Sequence, residues 1–236
     1  MNDLIKEKKR IDTNTLFEGY DPNFDEPLYL YPKTNYNLEP DLIKNLEQNL
    51  SLTFSREKEL PLEGEVCFMN SPEVRPEFRI SFAPIDILDY VYAILFSSSY
   101  REKYKTNAFP EVPYPTDTSV FWKLTTLGSK LRQIHLLECS LVEKLITLFP
   151  INGNNIISQI DYRQNKVFIN ETQYFENVPK IAWDFTIGDD HPAQKWLLNR
   201  KGSKLSLQDI LFYQKIIVAL KETGRVMEEI DKIKTE

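Results

Sequence analysis

A chain of 236 residues is long enough for one large domain or two small ones, with a core that needs no disulfide staples. At 42% hydrophobic and 27% charged it is too apolar for a disordered chain and too mixed for a fibrous one. A net charge of −6 argues against a surface built throughout to grip polyanions.

Charge is uneven along the chain. The acids crowd the region before residue 90, whereas Lys195, Arg200, Lys201 and Lys204 fall within ten positions with no acid between them. A basic run on an acidic protein is either a solvated face or a site for an anion. Cys67 and Cys139 have no zinc or redox spacing and are read as reduced thiols in or near the core. The basic N-terminus, with Lys6, Lys8, Lys9 and Arg10, precedes no signal-length apolar stretch, and no window is apolar enough to span a bilayer. The expected location is the cytoplasm, with no membrane partner.

Residues 1–35 read as an irregular lead-in, with turn chemistry at Tyr20-Asp21-Pro22-Asn23 and a short apolar run at Leu28 to Tyr31. Residues 36–150 read as a mainly helical subdomain. Pro40 suits a first helical position, and Leu42, Ile43, Leu46 and Leu50 follow at helical spacing, so a helix is predicted to about Gln48. Residues 55–80 look like a loop or hairpin insertion. Pro84 opens a stripe of Ile85, Leu88, Val91, Tyr92, Leu95 and Phe96, with Asp86 and Asp89 near its start. Ser97-Ser98-Ser99 interrupts it before a short basic helix over Tyr100–Thr106. Prolines 110, 113 and 115 force an extended segment, and Thr116 or Asp117 can cap a helix carrying Phe121, Leu124, Leu127, Leu131, Ile134 and Leu137.

Residues 151–236 read as a β-hairpin plus helices. β-branched and aromatic residues from Ile156 to Ile169 surround Arg163-Gln164-Asn165-Lys166, a polar turn. Short helices are predicted over Lys180–Phe185 and Pro192–Leu198. Ser206 caps a final helix of roughly 28 residues, inside which Gly224 marks a bend or a close contact. Helices with a few antiparallel strands and no βαβ alternation give an α+β fold.

Catalytic patterns are absent from the sequence. Its seven glycines make no Gly-x-Gly-x-x-Gly turn or phosphate loop, and no Gly-x-Ser-x-Gly elbow occurs. His135, on an apolar helix, reads as a satisfied core or surface histidine, and Asp189-Asp190-His191 as three adjacent loop residues unsuited to converge on one metal. Aromatics adjoin cations at Tyr100-Arg101, Lys103-Tyr104-Lys105, Tyr162-Arg163 and Lys195-Trp196. Such pairs suit nucleic acid, and equally suit basic stems lying across aromatic rings.

A family resemblance rests on several stretches in order. They are Phe82-Ala83-Pro84-Ile85-Asp86-Ile87-Leu88-Asp89-Tyr90-Val91-Tyr92-Ala93-Ile94-Leu95, Ser99-Tyr100-Arg101-Glu102-Lys103-Tyr104, Phe109-Pro110-Glu111-Val112-Pro113, Phe121-Trp122-Lys123-Leu124, Val167-Phe168-Ile169-Asn170-Glu171-Thr172-Gln173-Tyr174-Phe175, Gln194-Lys195-Trp196-Leu197 with Arg200-Lys201-Gly202, and Tyr213-Gln214-Lys215-Ile216. Together they resemble the C-terminal specificity (target recognition) region of type ISP restriction-modification enzymes and related adenine-specific DNA methyltransferases, over about residues 27–233. Gly188-Asp189-Asp190-His191 departs from the Gly-Gly-aromatic step of that family and puts acids beside the basic run.

The resemblance implies a non-catalytic DNA target recognition domain. It would act with the methyltransferase and helicase portion of a parent enzyme, S-adenosylmethionine being bound there and no cofactor here. Expected phosphate contacts are Arg101, Lys103, Lys105, Lys195, Arg200, Lys201 and Lys204. Expected base contacts are Asn154, Asn155, Arg163, Gln164 and Asn165 on a 152–166 hairpin, with Arg75 and Arg79 from the variable 61–80 segment. The alternative is a structural interaction module that holds the methyltransferase or helicase partner without reading bases.

Overall fold

The computed structural model describes residues 10–12, 38–56, 79–103, 111–187 and 190–233. In chain order the elements are β1 (Arg10–Ile11), α1 (Pro40–Leu50), β2 (Thr53–Phe54), β3 (Ser81–Phe82), α2 (Pro84–Leu95), α3 (Ser98–Lys103), β4 (Val112–Pro113), α4 (Thr118–His135), β5 (Asp161–Arg163), β6 (Lys166–Phe168), β7 (Tyr174–Glu176), α5 (Lys180–Trp183), α6 (Pro192–Leu198) and α7 (Leu207–Asp231). The fold is α+β and helix-rich. The described residues divide into two compact units, one of 10–130 with 227–233 and the other of 131–226. No helix among them is long and apolar enough to cross a membrane.

In the first unit, proline marks two helix starts where a missing N–H costs nothing. Pro40 and Pro84 each stand in the first turn, of α1 and α2 respectively. Ala83 lacks a capping side chain, so the Asp86 carboxylate reaches back to accept the Ala83 N–H at 2.8 Å. Asp117 caps α4, its Oδ1 accepting the Val120 N–H at 2.7 Å. The periodicity of α2 predicts one buried stripe. Instead every residue from Asp86 to Ile94 is buried, because neighbours cover the helix on all sides. Two of those neighbours are β4, whose Pro113 carbonyl accepts the Tyr90 hydroxyl at 3.0 Å, and α4, whose Gly128 lies against the α2 backbone. Phe82, Tyr90, Phe121 and Trp122 form a chain of ring contacts through this core.

Two strand pairs here have no counterpart in the sequence reading. β1 pairs antiparallel with β4, and β2 pairs parallel with β3, so the sheets are not all antiparallel as expected. Strands of two residues carry no alternation to read. The predictions at Tyr20–Asn23, Leu28–Tyr31, Cys67, most of 55–80 and residues 104–110 lie outside the described residues.

In the second unit, β5, β6 and β7 form an antiparallel sheet in that order, extended by a bridge from Leu148 to Glu176. Val167 and Phe175 point inward and are fully buried, while Lys166, Phe168, Tyr174 and Glu176 lie on the outer face. The inner face meets α6 and α7 through Phe175, Tyr213 and Trp196, with ring centroids 4.5 and 5.3 Å apart along that chain. Each such ring removed from water contributes about 1.5–3 kcal/mol. His135 is buried, its Nε2 2.8 Å from the Thr223 hydroxyl, so it is a satisfied core histidine.

α7 begins at a capping box. Ser206 Oγ accepts the Asp209 N–H at 3.1 Å, and Asp209 Oδ2 accepts both the Ser206 N–H at 2.8 Å and its hydroxyl at 2.6 Å. The Ser206 hydroxyl, first among the causes, holds the Asp209 carboxyl below the usual carboxylate range. A carboxyl depressed in the folded state stabilises above its unfolded pKa and loses that contribution as acid protonates it. Ser206→Ala is therefore expected to cost about 1 kcal/mol in urea unfolding at pH 7, a difference that shrinks as the pH falls below about 4.

Candidate nucleic-acid interface

Two segments some fifty positions apart in sequence are laced together. The Leu205 N–H donates to Asn155 O at 2.9 Å, the Ile157 N–H to Ser203 O at 3.1 Å, and the Gly202 N–H to Ile157 O at 2.7 Å. Asn155 Nδ2 reaches Leu205 O at 3.5 Å, and Ile156 bridges Lys204. The backbone turns this requires are left-handed, with φ +58° at Asn155 and +86° at Gly202, where asparagine and glycine are the tolerated residues. With Ile156 opposite Lys204, exposed Asn154 lies two positions along the pairing from exposed Lys204, and exposed Lys201 stands at the other end of the same segment. Among the described residues neither lysine is held in an ion pair, and both are exposed to water.

The other cations of this run are used within the fold. Lys195 Nζ lies 2.7 Å from Asp190 Oδ2. The Arg200 guanidinium stacks 3.9 Å above the Trp196 ring and donates to the Trp196 carbonyl at 3.3 Å. Asp190 is thus a partner of Lys195, and among the described residues no group of three or more acidic, histidine or cysteine side chains could hold a metal.

Beneath the Asn154–Ile156 loop lies a buried amide network. Gln173 is 1% exposed and uses all its hydrogen-bonding capacity. Its Nε2 donates to Ile151 O at 2.9 Å and Asn155 Oδ1 at 2.7 Å, and its Oε1 accepts from the Asn155 N–H at 2.8 Å and Asn170 Nδ2 at 3.0 Å. Asn170 also donates to Ile156 O at 3.1 Å and accepts the Gln173 N–H at 2.7 Å. Sequence reading missed both residues as organisers of the loop. The available signal was an Asn and a Gln three apart inside an otherwise β-branched and aromatic run.

The hairpin differs from its expected form. It spans Asp161–Phe168, not 152–166, and its two-residue turn is Gln164-Asn165, with φ +52° and +57°. Asn154 and Asn155 therefore lie outside it. The sequence places them on one hairpin because Ile156, Ile157 and Ile160 resemble strand residues, but β5 begins only at Asp161. Since Asn170 contacts the Asn154 loop, that loop sits at the far end of β6 from the turn, a strand length of on the order of 15 Å away. Asn165 Oδ1 accepts the Tyr162 hydroxyl at 3.0 Å, and Tyr162 stacks on Trp183 with centroids 5.4 Å apart. Arg163 lies 4.1 Å over Phe168 and 3.5 Å from Asp161. Gln164 is the exposed tip residue for which no side-chain contact is seen.

Arg79, Arg101 and Lys103 belong to the first unit. Arg79 is half-buried 4.6 Å over Trp122, and desolvation lowers its pKa against a raising influence from Asp86. Arg101 is also half-buried, over Phe96 and beside Met227 Sδ at 3.8 Å, its pKa lowered by burial. Lys103 is exposed at the end of α3. Arg75 and Lys105 lie outside the described residues.

The sequence profile of the Type ISP C-terminal specificity domain matches residues 9–229. No curated protein matches the chain. Among solved structures, a nuclease-deletion mutant of the Type ISP restriction-modification enzyme LlaGI in complex with a DNA substrate mimic is 18% identical, with a TM-score of 0.45, over 61% of this chain and 13% of that one. A DrdV–DNA complex is 18% identical, TM-score 0.45, over 64% and 18%. The ATP-dependent Type ISP restriction-modification enzyme LlaBIII bound to DNA is 17% identical, TM-score 0.45, over 64% and 11%. The chain thus spans less than a fifth of the length of each of these proteins. With the family profile running through both units, from β1 to the last turns of α7, the chain belongs to the Type ISP C-terminal specificity domain family.

Proposed function

We propose that this chain binds duplex DNA as the target recognition part of a larger restriction-modification enzyme, through the surface that Asn154 shares with Lys201 and Lys204. The family supplies the specificity role. What supports the location is the pairing of 155–157 with 202–205, which sets exposed Asn154 near Lys204 with Lys201 further along the same segment, neither lysine having an ion-pair partner among the described residues. Lysines on phosphates fix position and an amide at a base edge reads adenine. Lys195 and Arg200 act by holding α6 and its flanks. Arg163, Gln164 and Asn165 at the hairpin tip are further candidate contacts of the second unit, Lys103 on α3 is a candidate of the first unit taken by itself, and Asn155 supports the loop beneath Asn154 through its bonds to Gln173 and Leu205.

The chain has neither an Asn-Pro-Pro-Tyr motif nor a glycine-rich cofactor turn. S-adenosylmethionine, adenine methylation and ATP-driven steps are accordingly assigned to the methyltransferase and helicase portions of the parent enzyme, and the compartment to the cytoplasm. Selection from a random duplex pool at low salt tests the reading. The expected result is enrichment of a defined sequence by the chain, or by the chain with its methyltransferase portion. No enrichment in either case favours the second reading, an interaction module. The observation on that side is Leu207 and Leu211, one turn apart on α7 and 72% and 40% exposed.

A further inference from the structure

Exposed Asn154 folds its Oδ1 onto the Ile156 N–H at 2.9 Å, within reach of Asn170 Nδ2 at 3.5 Å, and makes no side-chain bond to Lys204. Their relative position is set by backbone pairing of two loops, and that pairing is held from below by two buried amides, Asn170 on Ile156 O and, with more bonds to the loop, Gln173. Gln173 bonds to Ile151, Asn155 and Asn170 at once. Asn155 in turn bonds to Leu205 through both its carbonyl and its side chain. A relay of amides therefore runs from the β6–β7 turn, through the Asn154 loop, to the lysine segment. The fit leaves no slack. A Cβ on Gly153 would stand 2.6 Å from Gln173 Cδ and 2.7 Å from Oε1, so the loop backbone passes directly over this amide.

We propose that Gln173 is a positioning residue for sequence discrimination: it fixes the register between Asn154 and the Lys201–Lys204 segment and touches no DNA itself. This rests on the DNA-binding reading above. Phosphate contact tolerates a loop that wanders, because the charge of a lysine acts over several ångströms and its stem is flexible. A bidentate amide contact to a base edge does not, because both hydrogen bonds must align. Loss of Gln173 therefore separates affinity for DNA in general from preference for one sequence.

The test uses the full chain and the ratio of its affinities for the selected duplex and a scrambled duplex. Partial unfolding lowers both affinities together and leaves the ratio unchanged, so a merely structural role does not move it. For Gln173→Leu the ratio is expected to fall roughly tenfold or more while binding to the scrambled duplex stays within about threefold of wild type. Gln173→Glu supplies a second readout. Its ionised carboxylate would face Ile151 O and Asn155 Oδ1 with no proton to donate, whereas the protonated acid donates one hydrogen bond. Discrimination by this variant is expected to recover as the pH is lowered, with wild type unchanged over the same range. Should Gln173→Leu fail to fold, Gly153→Ala displaces the same amide from the loop side and is expected to lower the ratio likewise. If wild type discriminates and the folded variants discriminate equally well, the positioning role is wrong and the DNA-binding reading stands. If wild type shows no preference between duplexes, the DNA-binding reading itself falls.

Discussion

Replacing Gly128 with alanine is expected to destabilise the first unit by roughly 2–4 kcal/mol, although alanine is the better helix former by about 1 kcal/mol. Gly128 sits inside α4 where the added methyl would stand 1.7 Å from the Asp89 carbonyl oxygen and 2.6 Å from its carbon. Both are backbone atoms of α2, so no rotamer change relieves the overlap, and the helices must part by more than an ångström. That separation opens the contact around Ile87, Val91, Phe121 and Leu124, all fully buried. A thermal melt should show a midpoint lowered by on the order of 10 °C. Gly224→Ala in α7 provides the contrast. There the new methyl meets only the Ile181 side chain, Cδ1 at 3.3 Å and Cγ1 at 3.8 Å, and Ile181 is 53% exposed and able to move. That variant is expected to be neutral or up to about 1 kcal/mol more stable.

The second large effect is expected at the lysines. Lys201→Ala with Lys204→Ala should weaken binding to selected and scrambled duplexes alike, by on the order of tenfold near physiological salt, without changing the ratio between them. The sequence alone counts Arg200 with these lysines as an expected phosphate contact. The structure argues for leaving it out, because its guanidinium packs on Trp196 and bonds the Trp196 carbonyl, so that removing it also disturbs the α6–α7 aromatic cluster. Arg200 also lies near Asp209, whose carboxyl it helps to hold below the usual range. Lys195 carries the same complication through Asp190. Lys201 and Lys204 are exposed, so their loss changes charge with little change in packing.

The parts of the fold that are legible in the sequence are those written locally. Pro40, Pro84 and Pro192 each stand at the start of a helix, Asp117 is the one of the two offered residues, Thr116 and Asp117, that caps α4, and Ser206 caps α7. In the Gln164-Asn165 turn Asn165 is a residue that tolerates the left-handed backbone such a turn needs, whereas Gln164, at φ +52°, is not a favoured one. Nonlocal structure is not written this way. The β1–β4 and β2–β3 pairs are two residues long, and their partners lie far away in sequence. The lacing of 155–157 to 202–205 joins two stretches that each read as ordinary loop.

Side-chain charge is similarly ambiguous before packing is known. Lys195, Arg200, Lys201 and Lys204 are indistinguishable as a basic run, yet Lys195 is ion-paired, Arg200 is stacked, and the two outer lysines remain exposed. Gln173 and Asn170 passed unnoticed because a polar residue in a strand-rich stretch normally marks the solvent face. Here the amides turn inward to a loop that the sequence places elsewhere.

The central claim is that the Lys201–Lys204 segment contacts DNA phosphates, and the salt dependence of binding tests it most directly. Affinity for the selected duplex is measured across a range of salt concentrations for wild type and for Lys201→Ala with Lys204→Ala. A charge-matched control, Lys144→Ala with Lys221→Ala, removes two other exposed lysines of the same unit. The account predicts that the slope of log affinity against log salt becomes shallower by about 1.8 for the first pair, two released phosphate contacts, and stays at the wild-type value for the control. An unchanged slope in the first pair, or an equal loss in both, contradicts it.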